Sequence, residues 1–192
     1  DGVNDVLALK EADCSIAMAS GTDAARNVSQ LVLLNSNFDS MPKVVAEGRR
    51  SINNIQRSAS IVMVRTLYSL GLAIVFMFIQ IAYPFIPIQQ TIINAVSSGI
   101  PGVVLALEPN KKRIKGDFFQ NIMKLALPPS AAAFISIMGI IMLKHIFGVN
   151  ITDQQVSTVC VYVTGFIRLM FLFRVCIPFN LLRGALFMGM VG

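Results

Sequence analysis

The chain has 192 residues, a net charge of +6, 55% hydrophobic residues and only 14% charged ones. Its mean hydropathy of +0.68 is too high for an ordinary soluble domain. The basic residues flank apolar runs and form no stripe interleaved with aromatics, which excludes nucleic acid as a partner and points to a membrane protein.

Charge is unevenly placed. Eight of the ten acidic residues lie at or before Glu108, and none occurs between Glu47 and Glu108. A polar N-terminal piece is therefore followed by stretches able to enter lipid. Cys14, Cys160 and Cys176 are widely separated, which argues against a disulfide framework or a zinc site. Asp1 to Lys10 lacks the basic start and apolar run of a signal peptide, and no methionine opens the chain. The expectation is a piece of a longer polypeptide.

Residues 1–41 read as α/β material. Asn4 to Ala12 carries apolar residues at helical spacing, and "CSIAM" reads as a short buried strand. Gly21 marks a turn, "TDAARNVS" fits a helix, and Leu31 to Leu34 fits a second strand. A piece this short cannot close a core, so it is expected to be the tail of a larger α/β domain.

A long helix follows. Asp39 or Ser40 can cap it, Pro42 suits its first turn, and no proline recurs until Pro84. Its first half, "EGRRSINNIQRS", is polar and its second apolar, which predicts a stalk over 42–58 that continues into the membrane. Transmembrane spans are predicted at about 59–82, 87–107, 123–144 and 155–176, with a further one starting at 181. Lys111, Lys112, Arg113 and Lys115 lie between the second and third spans, and Arg174 and Arg183 follow the fourth. By the positive-inside rule these segments and the N-terminal portion are cytoplasmic.

Two places carry chemistry. The opening "DGVND" sets Asp1 after a strand and puts Asn4 and Asp5 on the first turn of a helix. Asp1 could hold Mg²⁺ while Asn4 and the backbone N–H groups from Gly2 onward face phosphate oxygens, with Asp5 orienting a lysine or the metal's water. An Asx-turn capping a helix explains the same residues equally well.

The second place is "QQTIINAVSSGIPG". Gln90, Thr91, Asn94, Ser97 and Ser98 share a helical face, and the Gly/Pro break frees carbonyls, as an ion path in mid-membrane requires. Close packing of small residues is the plainer alternative. Arg65, one turn before Ser69, reads either as a fixed counter-charge or as a snorkelling residue. Arg168 reads as a structural residue near the cytoplasmic end of its span, and His145 as interfacial.

The first 34 residues, followed by "NFDSMPKVVAEGRRSINNI", resemble the end of the haloacid dehalogenase-type phosphorylation domain of P-type ATPases and its exit into a membrane helix. The resemblance implies a haloacid dehalogenase-like α/β tail followed by an α-helical transmembrane bundle. It implies that Asp1 binds Mg²⁺ and that Gly2, Asn4 and Asp5 complete the phosphate site. It also implies an upstream "DKTGT" motif, absent here, whose aspartate is phosphorylated. The domains that bind most of the ATP, and four earlier membrane helices, would belong to the remainder of the same polypeptide. This chain alone would not turn over ATP.

In the family's calcium pumps the sixth membrane helix has an aspartate where Ser98 stands, and the fifth has asparagine and glutamate where Thr66 and Ser69 stand. Hard divalent ions favour carboxylates, so a site copied from those pumps is excluded. The implied function is ATP-driven cation transport across a bacterial plasma membrane through an aspartyl-phosphate, with calcium or another divalent cation leading. A proton or potassium pump, a membrane-anchored Mg²⁺-dependent phosphohydrolase and a non-catalytic membrane module are the alternatives.

Overall fold

The computed structural model describes residues 2–79, 81–110, 112–146 and 148–191. Asp1, the expected Mg²⁺ ligand, therefore lies outside the described residues, as does Lys111. The chain divides into two compact units, residues 1–48 and 49–192. The division falls inside the stretch read as a stalk.

The first unit contains α1 (Val6–Glu11), β1 (Ile16–Met18), α2 (Asp23–Val28) and β2 (Leu31–Leu33). The strands are parallel, with Ile16 opposite Leu31 and Met18 opposite Leu33. Parallel neighbours need a crossover, and α2 supplies it. Thr22 caps α2 by accepting from Ala25 N, and Arg26 Nη1 donates to Ala19 O at 2.6 Å. Only Ala17, Ala25 and Leu33 form a buried apolar centre here, while Leu7, Leu34 and Phe38 stay exposed.

A 3₁₀ turn (Phe38–Ser40) leads directly into α3 (Met41–Phe78). Asn37 caps that turn by accepting from Asp39 N at 2.9 Å. Ser40 Oγ instead donates back to Asn37 O at 2.7 Å. With 38 residues, α3 is about 57 Å long at 1.5 Å per residue.

In the second unit α3 is followed by α4 (Pro87–Asn94), a π-helical turn (Ala95–Gly99) and α5 (Ile100–Ala106). The predicted span 87–107 is thus helical throughout but changes pitch in the middle. Then come α6 (Phe118–His145), α7 (Asp153–Cys176) and α8 (Leu181–Val191). Among the described residues, three helices are long and apolar enough to cross a membrane, namely α3, α6 and α7. The core of this unit is built from Ile61, Val64, Tyr68 and Leu72 of α3 against Ala133 and Ile137 of α6 and Cys160 and Leu172 of α7. The three- and four-residue spacing of Ile61, Val64, Tyr68 and Leu72 gives α3 one inward stripe, while Leu70, Ile74 and Phe166 face outward as a lipid-facing surface would.

Candidate functional site

At the N-terminal cluster, Val3–Asp5 forms a 3₁₀ turn that runs on into α1. Asp5 Oδ2 accepts the Gly2 N–H at 3.1 Å, and Asp5 N donates to Gly2 O at 3.3 Å. This reciprocal pair ties Asp5 to Gly2 across the turn, while the Asp5 side chain makes no cap bond to α1 itself. Asn4 and Asp5 are exposed. Their oxygens are hard donors, which fit Mg²⁺ and its water shell in kind.

The broken helix is more informative. Pro101 supplies no N–H to the turn before it, and its ring excludes a regular α-helical path there. The chain takes one extra residue per turn across Ala95–Gly99, a geometry frequent at functional sites. Ser97 is buried, and its hydroxyl donates to Ile93 O at 2.5 Å. Asn94 and Ser98 are half-buried, whereas Thr91 is exposed and its hydroxyl donates to Pro87 O. The face predicted to be shared is therefore divided.

What meets the break comes from α7. Arg168, only 2% exposed, donates from Nη1 to Asn94 Oδ1 at 2.7 Å and from Nη2 to Ser98 Oγ. Arg168, read from the sequence as a structural residue near the cytoplasmic end of its span, is thus bonded across helices to the break. Tyr68 of α3, 1% exposed, interacts with the same guanidinium, and its hydroxyl makes a long 3.5 Å contact to Gln90 Oε1. Arg65 and Thr66 are exposed and Ser69 is half-buried. Thr66 Oγ1 donates to Val62 O, along its own helix. Arg65 lies within electrostatic range of Arg168 but does not bond to the break. Among the described residues no three His, Cys, Asp or Glu side chains come together, and the side-chain oxygens bonded at this break, Asn94 Oδ1 and Ser98 Oγ, are neutral.

Comparison with known proteins decides the family. No family model matches the chain. It is 40% identical over 200 aligned residues to "Probable cation-transporting ATPase exp7" of Streptococcus pneumoniae, an alignment that takes in all of this chain and 25% of that protein. It is 43% identical over 150 residues to "Calcium-transporting ATPase CtpE" of Mycolicibacterium smegmatis, covering 71% of this chain and 19% of the relative. A "P-type sodium-transporting ATPase4" of Toxoplasma gondii is 36% identical over 111 residues, 57% of this chain and 8% of the relative.

The chain belongs to the P-type cation-transporting ATPases. It spans about a quarter, or less, of the length of these relatives. With three helices able to cross a bilayer, it is an integral membrane segment of that family.

For a member of this family the second notable cluster lies at the foot of α5. Glu108 is 5% exposed, and Arg183 of α8 reaches it from Nε at 2.8 and 3.0 Å and from Nη2 at 2.8 Å. Arg57 of α3 also pairs with it, and Asn180 Nδ2 donates to it at 2.7 Å. Burial alone would raise the carboxyl's pKa, but the bonds from Arg183, Arg57 and Asn180 outweigh this and hold it below the usual value.

Around this cluster the polar part of α3 is stitched to the same segment. Asn54 Nδ2 donates to Ala106 O and to Glu108 O, both at 2.7 Å, and Ser58 Oγ donates to Gly102 O at 2.9 Å. Asn53 Nδ2 reaches Asn110 O and Lys112 O. Sequence reading noticed Glu108 only as an acid at the membrane edge. Its isolation from the other acids, in a chain with an excess of basic residues, was the available signal.

Proposed function

We propose that this chain is the C-terminal part of an ATP-driven cation pump that works through an aspartyl-phosphate. The observation carrying the reading is the alignment of the whole chain with a cation-transporting ATPase at 40% identity. On this reading residues 1–41 are the end of the haloacid dehalogenase-like phosphorylation domain, 42–58 a stalk and 59–192 transmembrane. The N-terminal portion faces the cytoplasm of a bacterial cell, and Mg²⁺ and ATP are bound mainly by the rest of the polypeptide.

In the proposed chemistry Asp1 holds Mg²⁺, which when bound neutralises phosphate charge. Asn4 offers its side chain to phosphate oxygens, while Asp5 keeps the loop in shape through its bond to Gly2 N, which makes Gly2 part of the turn rather than a phosphate donor. At the membrane end Asn94, Ser97 and Ser98 line the ion path, and the π turn supports this by leaving backbone oxygens outside the regular helical ladder. Thr66, Ser69 and Arg65 belong to the path through the family resemblance alone.

Calcium or another divalent cation leads, because a relative aligned over 71% of the chain is named calcium-transporting. A proton or potassium pump is the second reading, favoured by the neutral oxygens and the arginine at the break.

The test uses the full-length protein in liposomes, with ATP hydrolysis and ion uptake followed while Ca²⁺, Mn²⁺, K⁺ and pH are varied. Stimulation and uptake of one ion, weakened in Ser98→Ala but with phosphorylation by ATP intact, is the expected result. Hydrolysis abolished by Asp1→Asn but indifferent to every ion would leave a phosphohydrolase and overturn transport.

A further inference from the structure

Among the described residues Arg168 is a buried cation with no acidic partner. No acidic residue occurs between Glu47 and Glu108 or after Asp153. The ion pairs of Arg26, Arg57, Lys144 and Arg183 lie elsewhere in the chain. A guanidinium taken out of water normally needs a carboxylate partner, because neutral acceptors repay only part of its desolvation. Here the partners are Asn94 Oδ1 and Ser98 Oγ.

Those two oxygens bracket the π turn, one at its N-terminal edge and one inside it. They are also the side-chain oxygens that a bare metal cation entering the break would use. An oxygen lone pair aimed at a guanidinium N–H is not aimed at a metal ion, and two cations at contact distance repel strongly in a low-dielectric interior. The structure thus shows the break already filled by a positive group carried on a separate helix.

We propose that Arg168 is a tethered cation that competes with the transported ion for Asn94 and Ser98, and so sets the affinity of the site. This rests on the transport reading above. The guanidinium holds the two oxygens while the ion is absent, and withdraws from them when the ion binds. Its tether is α7, packed tightly at Cys160, Thr164 and Leu172, each fully buried. Withdrawal is therefore a side-chain motion. Arg168 tunes the site by charge, where a carboxylate would tune it in the opposite direction.

The experiment is a titration of ATP hydrolysis by the full-length reconstituted protein against whichever of Ca²⁺, Mn²⁺, K⁺ or H⁺ stimulates it. Arg168→Gln keeps a hydrogen-bonding side chain and removes the charge, and is expected to lower the half-saturating ion concentration at least tenfold. Arg168→Lys keeps the charge and should stay within about threefold of the unmodified protein. Infrared difference spectra on ion addition should carry guanidinium bands that vanish in Arg168→Lys, a readout available even if Arg168→Gln fails to fold.

An Arg168→Gln protein that is merely less heat-stable, with unchanged half-saturation, would reduce Arg168 to a packing residue and overturn the proposal. Absence of guanidinium bands in the unmodified protein would also overturn it. If no ion stimulates the unmodified protein, the transport reading fails first.

Discussion

Replacing Glu108 by alanine removes the one carboxylate that α3, α8 and the end of α5 share. Arg183, whose side chain is 9% exposed, would keep only the carbonyls of Cys176 at 3.3 Å and Pro178 at 2.8 Å. Arg57, with its side chain 14% exposed, would lose its anion as well. Removing one partner of a buried pair leaves an uncompensated charge and costs about 3–5 kcal/mol.

The assay is unfolding of the detergent-solubilised protein, followed by a thiol-reactive dye. Cys160 and Cys176 are fully buried, so they label only as the helices separate, with Cys14 replaced by serine to remove the exposed thiol. A loss below about 1 kcal/mol in Glu108→Ala would refute the reasoning, since that is what an exposed ion pair is worth. Arg183→Met introduced together with Glu108→Leu should recover the part of the loss that comes from stranding Arg183, while Arg57 stays without its anion.

The same group makes a pH prediction. Its folded pKa lies below the ordinary 4.5, so its contribution is complete above that value and is lost as pH falls through the folded pKa. Glu108→Gln should flatten this acid limb of the stability profile.

Three further outcomes follow from packing and capping. Asn54→Ala should destabilise by about 1–3 kcal/mol in the same dye assay, because the buried Glu108 carbonyl and the partly buried bond to Ala106 O lose their side-chain donor. Gly71 lies so close to Phe134 that an added Cβ would stand 3.1 Å from the ring, so Gly71→Val should cost about 1–3 kcal/mol and Phe134→Leu should rescue it. Thr152 caps α7 by accepting from Gln155 N, and Thr152→Ala should lower stability by about 1 kcal/mol, measured as a shift in the thermal midpoint.

Local signals carried a good deal of this molecule. The long α3 follows from a proline-free run whose polarity changes half-way, and its observed range, Met41–Phe78, starts one residue before the predicted Pro42. The pitch change at Ala95–Gly99 follows from "SSGIPG", since a proline without an N–H deforms the turn ahead of it wherever it stands. The parallel strands of the first unit follow from two short apolar runs separated by a capped helix. Arg65 shows the limit. Its spacing to Ser69 suggested a shared face, and Arg65 is exposed among the described residues, but spacing along one helix does not say which neighbour that face meets.

The sequence by itself determined where helices run, where one must deform, and that the charged residues of the spans would be few. Those are properties of periodicity, hydropathy and backbone chemistry, all read within a few turns of chain. Only the tertiary structure decided which cation fills the deformation and which arginines hold the buried acid. Arg168 meets Asn94 across 74 residues and Arg183 meets Glu108 across 75. Such pairs depend on how α7 and α8 rotate against α4 and α5, and that rotation is set by the packing of whole helix faces rather than by any residue's neighbours in sequence.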